Sequence, residues 1–191
     1  MFKLFETADM NETNKDGKTV AHLKVEGVIH SKEVWESYLE KKPDLNIKDS
    51  EENTPLVSLF LGKNYEFNLL KELVENGANV NLKNKKGESP LLLAFVSGHS
   101  EVVLKFLLEN KAETNVKNGN METPLLIEFA KNAPDLKIVD LLLQHGADLN
   151  ARNIRGENAL IYVCSQKRVE IGSLEYLLEK VCYSYFVFSL I

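Results

Sequence analysis

The side chains that could do catalysis or bind a metal are few in this sequence, and they are scattered. They comprise His22, His30, His99, His145, Cys164 and Cys182. A nucleophilic triad or a zinc site needs such residues at matched spacing, but the two cysteines stand 18 positions apart with no CxxC pattern and no histidine at ligand spacing. We therefore expect structural or surface roles for the histidines, with no catalytic residue, no cofactor and no metal.

Three other positions invite a chemical interpretation. Asn118, Gly119 and Asn120 are a glycine-containing turn, but they lack the Lys-Ser/Thr pair that follows a phosphate-binding loop. Cys164 falls where we expect a small buried core residue, so its thiol should behave as a small hydrophobic group. Glu128 takes a position that is Ala94 one repeat earlier. Because an unpaired buried carboxylate is costly, Glu128 either faces a groove and contacts a partner or is satisfied locally.

Composition limits the class of protein. The chain has 191 residues, is 44% hydrophobic and 27% charged, and carries a net charge of -5. These values are typical of a globular domain or compact repeat array and argue against direct nucleic-acid binding, which needs a positive surface. No apolar run approaches the roughly 20 residues that span a bilayer, so we expect no membrane partner. The two unpaired cysteines and the absence of a signal-like N-terminus favour the cytoplasm, with the nucleus as the alternative.

An internal sequence repeat predicts the helices that could position a functional site. Thr19, Thr54, Ser89, Thr123 and Asn158 follow one another in steps of 35, 35, 34 and 35 residues. The same register holds for Asn46, Asn81, Asn115 and Asn150, and for Gly17, Gly87 and Gly156 with Glu52 and Met121 in the intervening positions. A period of this size indicates a stacked array of helical units.

Each unit predicts two antiparallel helices. A hydroxyl residue followed by proline, as in Thr54-Pro55, favours the start of a short inner helix, because the hydroxyl caps the first turn and proline suits its first position. The outer helix should begin after Ser31, Ser100 or Asp135, with Val34, Tyr38, Leu39, Val103, Phe106, Leu107, Ile138, Leu141 and Leu142 on its buried face. Gly77 and Gly146 are placed to end it in the left-handed conformation. Phe60, Phe95 and Phe129 recur at one position and are expected in the core rather than in a ligand-binding ladder.

The segments TPL, GHSEVVLKFLLEN and HGADLNARN together resemble the ankyrin repeat. The resemblance implies an all-α solenoid of helix-turn-helix units joined by hairpin-like loops, in five repeats at about 14–48, 49–83, 84–117, 118–152 and 153–180. Residues 1–13 are similar to the second half of a further repeat, and 181–191 form an apolar tail. These ragged ends lead to the hypothesis that the chain is a piece of a longer array.

The sequence departs from the family pattern at several points. Only His22 keeps the family's TPLH histidine, which puts the rigidity of the loops in doubt. The inter-helix loops at 62–67, 130–134 and 166–171 are longer than the family's. The tail could form a strand or helix on the fifth unit, contact a membrane interface or pair with another chain, so we expect a monomer unless the tail pairs.

The resemblance implies a protein-binding role, because family members use the loop tips and the concave face of the inner helices. Carried onto this sequence, the tips are Lys15, Lys18, Ser50, Glu51, Lys85, Lys86, Glu88, Asn120, Glu122, Ile154, Arg155 and Glu157. The concave face adds Leu61, Val96, Ser97, Lys131, Ser165 and Gln166. Two alternatives stay open: a stoichiometric inhibitor of a transcription factor or enzyme, and a membrane-associated fragment that depends on the tail.

Overall fold

Five helix pairs stack side by side in the computed structural model. The structure describes residues 9–62, 65–98, 100–131, 133–166 and 171–188, and for residues 181–188 it describes the backbone alone. The ten helices of the described residues are α1 Val20–Val25, α2 Lys32–Glu40, α3 Pro55–Leu61, α4 Phe67–Glu75, α5 Pro90–Val96, α6 Glu101–Glu109, α7 Pro124–Phe129, α8 Leu136–Gln144, α9 Ala159–Ser165 and α10 Ile171–Phe188. The described residues form no strand, so the all-α expectation is confirmed.

Inner helices begin where the sequence predicted. The Thr54 and Ser89 hydroxyls each accept a hydrogen bond from the backbone N–H three residues later, at 3.3 Å, and Asn158 does so through its side-chain oxygen. Among the outer helices, Ser31 and Asp135 cap α2 and α8 with their side chains. Ser100 takes the N-cap position of α6 without a side-chain capping bond.

The core lies between the inner row (α1, α3, α5, α7, α9) and the outer row of helices. One fully buried residue recurs in every outer helix, at Tyr38, Leu73, Leu107, Leu142 and Leu177. Phe60, Phe95 and Phe129 are also buried, which confirms their core assignment. In α2 the buried face runs through Trp35 and Tyr38, whereas the predicted Val34 and Leu39 are only half-buried.

The outer helix of the fifth unit runs on through most of the apolar tail. No glycine or proline follows Lys180 to end it, and α10 continues to Phe188. Two contacts hold α10 on α8: the Tyr176 hydroxyl donates to the Asp140 carboxylate at 2.5 Å, and the Lys180 ammonium lies 3.0 Å from the same carboxylate. No described helix has both the length and the apolar character to cross a bilayer.

Three predictions fall wholly or partly outside the described residues. They are the half-repeat at 1–13, of which 1–8 are not described, the tail at 181–191, of which 189–191 are not described, and the role of His99. The three longer inter-helix loops each include undescribed residues.

Candidate functional site

Five finger turns project from the array, at residues 14–18, 49–53, 84–88, 118–122 and 153–157. In the third, the Asn84 side-chain oxygen accepts hydrogen bonds from the backbone N–H groups of Lys86 and Glu88, both at 3.0 Å. The Asn84 backbone N–H donates to the Glu88 carbonyl at 3.1 Å. The same three bonds close every finger, with Asn14, Asp49, Asn118 and Asn153 in the role of Asn84. Local bonds of this kind hold the tips without the histidine that most units lack.

Neighbouring fingers are bonded to each other through the backbone. The Ser50 N–H donates to the Asp16 carbonyl at 3.0 Å, and the Ile154 N–H donates to the Asn120 carbonyl at 2.9 Å. The Lys85 N–H also lies 3.4 Å from the Glu51 carbonyl. Such bonds therefore link the first three fingers in series and the fourth finger to the fifth, while none joins the described residues of the third and fourth fingers.

An asparagine ladder ties the bases of the fingers. The Asn81 side-chain oxygen accepts from the Glu113 N–H at 2.8 Å, and its amide donates to the Lys111 carbonyl at 3.0 Å, both in the next unit. Asn46 and Asn115 make equivalent pairs of bonds, and Asn11 accepts from the Asp44 N–H. Of the repeated asparagines found in the sequence, Asn46, Asn81 and Asn115 are therefore inter-unit connectors, whereas the Asn150 side chain makes no such bond with the described residues.

His22 is a structural residue. It is fully buried, with one ring nitrogen 3.0 Å from the Thr19 hydroxyl and the other 2.9 Å from the Asn53 carbonyl. Burial lowers its pKa from the usual histidine value, although the Asn53 carbonyl opposes this shift. This arrangement joins the first inner helix to the second finger.

The predicted tip residues divide into two groups by exposure. Those that reach solvent freely are Lys15, Ser50, Glu51, Lys85, Lys86, Asn120, Ile154 and Arg155. Half-buried ones are Lys18, Glu88, Glu122 and Glu157. Lys18 pairs with Glu26 at 2.5 Å, and the three glutamates each accept from the asparagine amide of their own finger. The second group therefore also shapes the turns.

On the concave face, Val96, Ser97, Ser165 and Leu61 are exposed, and Val96 stands out with 68% of its side chain in solvent. Leu61, Val96 and Ala130 occupy the same position in successive units and form an apolar stripe. The remaining predicted residues are half-buried: Lys131 pairs with Glu128, and Gln166 donates to the Phe129 carbonyl at 3.0 Å.

Glu128 is satisfied locally, so the alternative of an exposed groove acid is wrong. Its side chain is fully buried. One carboxylate oxygen lies 2.6 Å from the Lys131 ammonium, and the other accepts from the Asp135 N–H at 2.9 Å. These bonds offset the cost of burying the charge.

The expected burial of Cys164 is also wrong, because the side chain is exposed. Cys164 aligns with Phe129 one unit earlier. Phe129 lies beneath the next helix pair, whereas α9 packs on α7 and α10 and has no described inner helix on its other side. The buried position of α9 is instead Val163.

Two adjoining clefts open at the fingers, the first between the third and fourth fingers and the inner helix α5, and the second between the fourth and fifth fingers. The first, about 290 Å³, is lined by Glu88, Leu93, Val96 and Asn120 among others. The second, about 280 Å³, is lined by Asn120, Glu122, Asn153, Ile154 and Arg155. Both clefts include Asn120, so they adjoin along the third to fifth units, and the two together are called the groove below. No group of three or more described His, Cys, Asp or Glu residues is arranged to hold a metal ion.

Comparison with known proteins agrees with this architecture. The family described as "Ankyrin repeats (3 copies)" matches residues 27–118 and 57–153. The chain is 30% identical over 165 residues to the nuclear factor NF-kappa-B p105 subunit of Gallus gallus, covering 82% of the chain and 16% of that protein. It is also 30% identical over 145 residues to alpha-latrocrustotoxin-Lt1a of Latrodectus tredecimguttatus, covering 71% of the chain and 10% of the toxin. The chain thus spans a small part of the length of both relatives.

Proposed function

Because this chain belongs to the ankyrin repeat family, whose repeats generally mediate protein–protein interaction, we propose that it binds a partner protein through its finger tips and concave face. The family is typically a non-enzymatic interaction module. The proposed role is therefore recognition.

The observation that carries the proposal is the exposure of large apolar side chains on this surface. Ile154 at the fifth finger is 71% exposed, and Val96 on the concave face is 68% exposed. Both line the groove formed by the two clefts. Apolar side chains rimmed by polar residues are a common feature of protein-binding surfaces.

The surface is built before any partner arrives. Each finger is closed by three local hydrogen bonds, and the asparagine ladder fixes units relative to one another. Binding then needs little ordering of this chain, so more of the contact free energy appears as affinity.

Affinity capture from the native cell extract, followed by mass spectrometry, tests the proposal. The Val96→Ser, Ile154→Ser double variant removes apolar contact from the groove without adding charge. Val102→Ser is the matched control, because Val102 is 60% exposed on the outer helix α6. We expect a partner recovered stoichiometrically by the wild type and the control and lost by the double variant.

Two results would contradict the proposal. Loss of the partner from Val102→Ser alone would move the binding site to the outer face. Equal recovery of the same proteins by all three chains would mean that the groove takes no part in binding.

A second candidate is a stoichiometric inhibitor of a transcription factor or enzyme. It is favoured by the similarity to a protein named as a nuclear factor subunit, which acts within an assembly. Adding this chain to its captured partner at a one-to-one ratio distinguishes the two: an inhibitor abolishes the partner's activity, whereas a scaffold leaves it unchanged.

We also propose a cytoplasmic location, with the nucleus as the alternative. Support comes from Cys164, an exposed free thiol of the kind that persists in a reducing compartment. Imaging of the tagged protein tests this, and retention in the secretory pathway would contradict it.

A further inference from the structure

Two carboxylates of the groove form no ion pair with the side chains that the structure describes. Glu88 and Glu122 line the first and second clefts. One oxygen of each accepts an asparagine amide of its own finger, at 2.9 and 2.8 Å, and neither forms an ion pair with a described residue. The equivalent Glu157 differs, because Arg155 lies 2.9 Å from it.

An exposed apolar side chain, Val96, lies in the same groove. Val96 lines the cleft that contains Glu88, and Leu61 and Ala130 occupy the equivalent positions of the units on either side. A partner that fills the cleft of Glu88 also covers Val96. It therefore needs an apolar side chain between its charged ones.

The repeat fixes the spacing between successive sites. Neighbouring packed helices lie about 8–10 Å apart. An extended segment in the polyproline II conformation advances about 3.1 Å per residue, with three residues per turn. Side chains three positions apart on such a segment thus face the same way and advance by about one unit of the array.

From this geometry we propose that the groove takes an extended cationic segment of the partner, with basic side chains at i and i+3 and an apolar side chain between them. The basic groups meet the Glu88 and Glu122 carboxylates, and the apolar group packs on Val96. This inference rests on the proposed function and names the chemistry of its partner. The net charge of -5 adds a long-range attraction for such a segment.

Two synthetic peptides of about 12 residues test the charge preference. The cationic probe has arginine at every third position with proline and leucine between, and the anionic probe has glutamate in place of each arginine. Titration calorimetry at low salt measures both against the full chain. We expect saturable binding of the cationic probe alone, weakened as salt rises.

Three variants locate the site. Glu88→Gln and Glu122→Gln remove the charge but keep the oxygen that accepts the asparagine amide, so the fingers should stay closed. Glu109→Gln on α6 is the matched control, because it changes the net charge equally from an exposed position on an outer helix. We expect each groove variant to weaken the cationic probe about threefold to fivefold, and the double variant about tenfold, with the control unchanged. Thermal melts check that each variant is folded.

Several outcomes would overturn the inference. If Glu109→Gln weakened binding of the cationic probe as much as the groove variants do, the net charge of the chain alone would explain the effect. If the anionic probe bound preferentially, recognition would be assigned to Lys85, Lys86 and Arg155. Absence of binding by either probe at about 1 mM would also refute a cationic groove. None of these outcomes contradicts the proposed function, which fails if the captured partner is indifferent to Val96 and Ile154 or is lost from Val102→Ser alone.

Discussion

Removing one rung of the asparagine ladder should uncouple two neighbouring units. Asn81→Ala deletes the acceptor of the Glu113 N–H at 2.8 Å and the donor to the Lys111 carbonyl at 3.0 Å. A hydrogen bond contributes about 0.5–1.5 kcal/mol net. Asn81 is half-buried and water replaces part of the loss, so we expect a destabilisation of about 1–2 kcal/mol.

The chain supplies a matched control for this change. Asn150 occupies the same position in the repeat, and its side chain makes no hydrogen bond with the described residues. Asn150→Ala should therefore cost less than about 0.5 kcal/mol, as surface substitutions usually do. Equal costs at the two positions would show that intrinsic turn preference, and not the inter-unit bonds, sets the effect.

Equilibrium urea unfolding followed by far-ultraviolet circular dichroism measures both variants. Hydrogen exchange adds a local readout, because stability in a repeat array depends on nearest neighbours. In Asn81→Ala we expect faster exchange on both sides of the boundary between the second and third units. A destabilisation below about 0.5 kcal/mol for Asn81→Ala would refute the role of the ladder.

Three further changes test other parts of the fold. Lys111 follows α6 with a positive φ of 66°, and the equivalent residues of two other units are the glycines Gly77 and Gly146. Because glycine adopts a positive φ without strain, Lys111→Gly should raise the free energy of unfolding by up to about 1 kcal/mol in urea melts. Lys111→Ala should not raise it. Burial lowers the pKa of His22 in the folded chain, so as the pH falls the imidazole is protonated in the unfolded chain before it is protonated in the folded chain. The contribution of His22 to the free energy of unfolding should therefore be complete above about pH 6.5 and should decrease below that pH. Thermal melts across that range should show less pH dependence in His22→Leu, and an unchanged dependence would contradict the assignment to His22. Leu142→Ala should cost about 2–5 kcal/mol, and a loss below about 1 kcal/mol would mean that this residue is not a core contact.

The sequence predicted the elements whose cause is local. Thr54-Pro55 starts an inner helix because the hydroxyl caps it and proline fits its first turn, and both effects depend only on adjacent residues. Gly77 and Gly146 end outer helices with φ of 98° and 84°. Glycine favours this left-handed conformation whatever its distant neighbours are, so this effect is local as well. The 35-residue step then placed these elements in register.

Features that depend on contact between units were not predicted. Cys164 lies in the position of a buried phenylalanine, but its burial depends on whether another helix packs beside α9. Trp35 is buried, and its ring nitrogen donates to Glu72 in the next unit at 2.6 Å. Neither contact leaves a signal within a single repeat.

The turn that closes each finger has a repeated sequence pattern that was not used to predict it. Asn14, Asp49, Asn84, Asn118 and Asn153 recur in the same 34- to 35-residue steps as the helix caps. An asparagine or aspartate side chain at this point accepts two backbone N–H groups of the turn, so the recurrence could have predicted ordered tips.

Hydrogen exchange of the chain with and without its captured partner tests the central claim most directly. If the fingers and concave face bind the partner, protection should concentrate in residues 84–97, 118–131 and 153–166. Protection confined to the outer helices α6 and α8, with these segments unchanged, would contradict it.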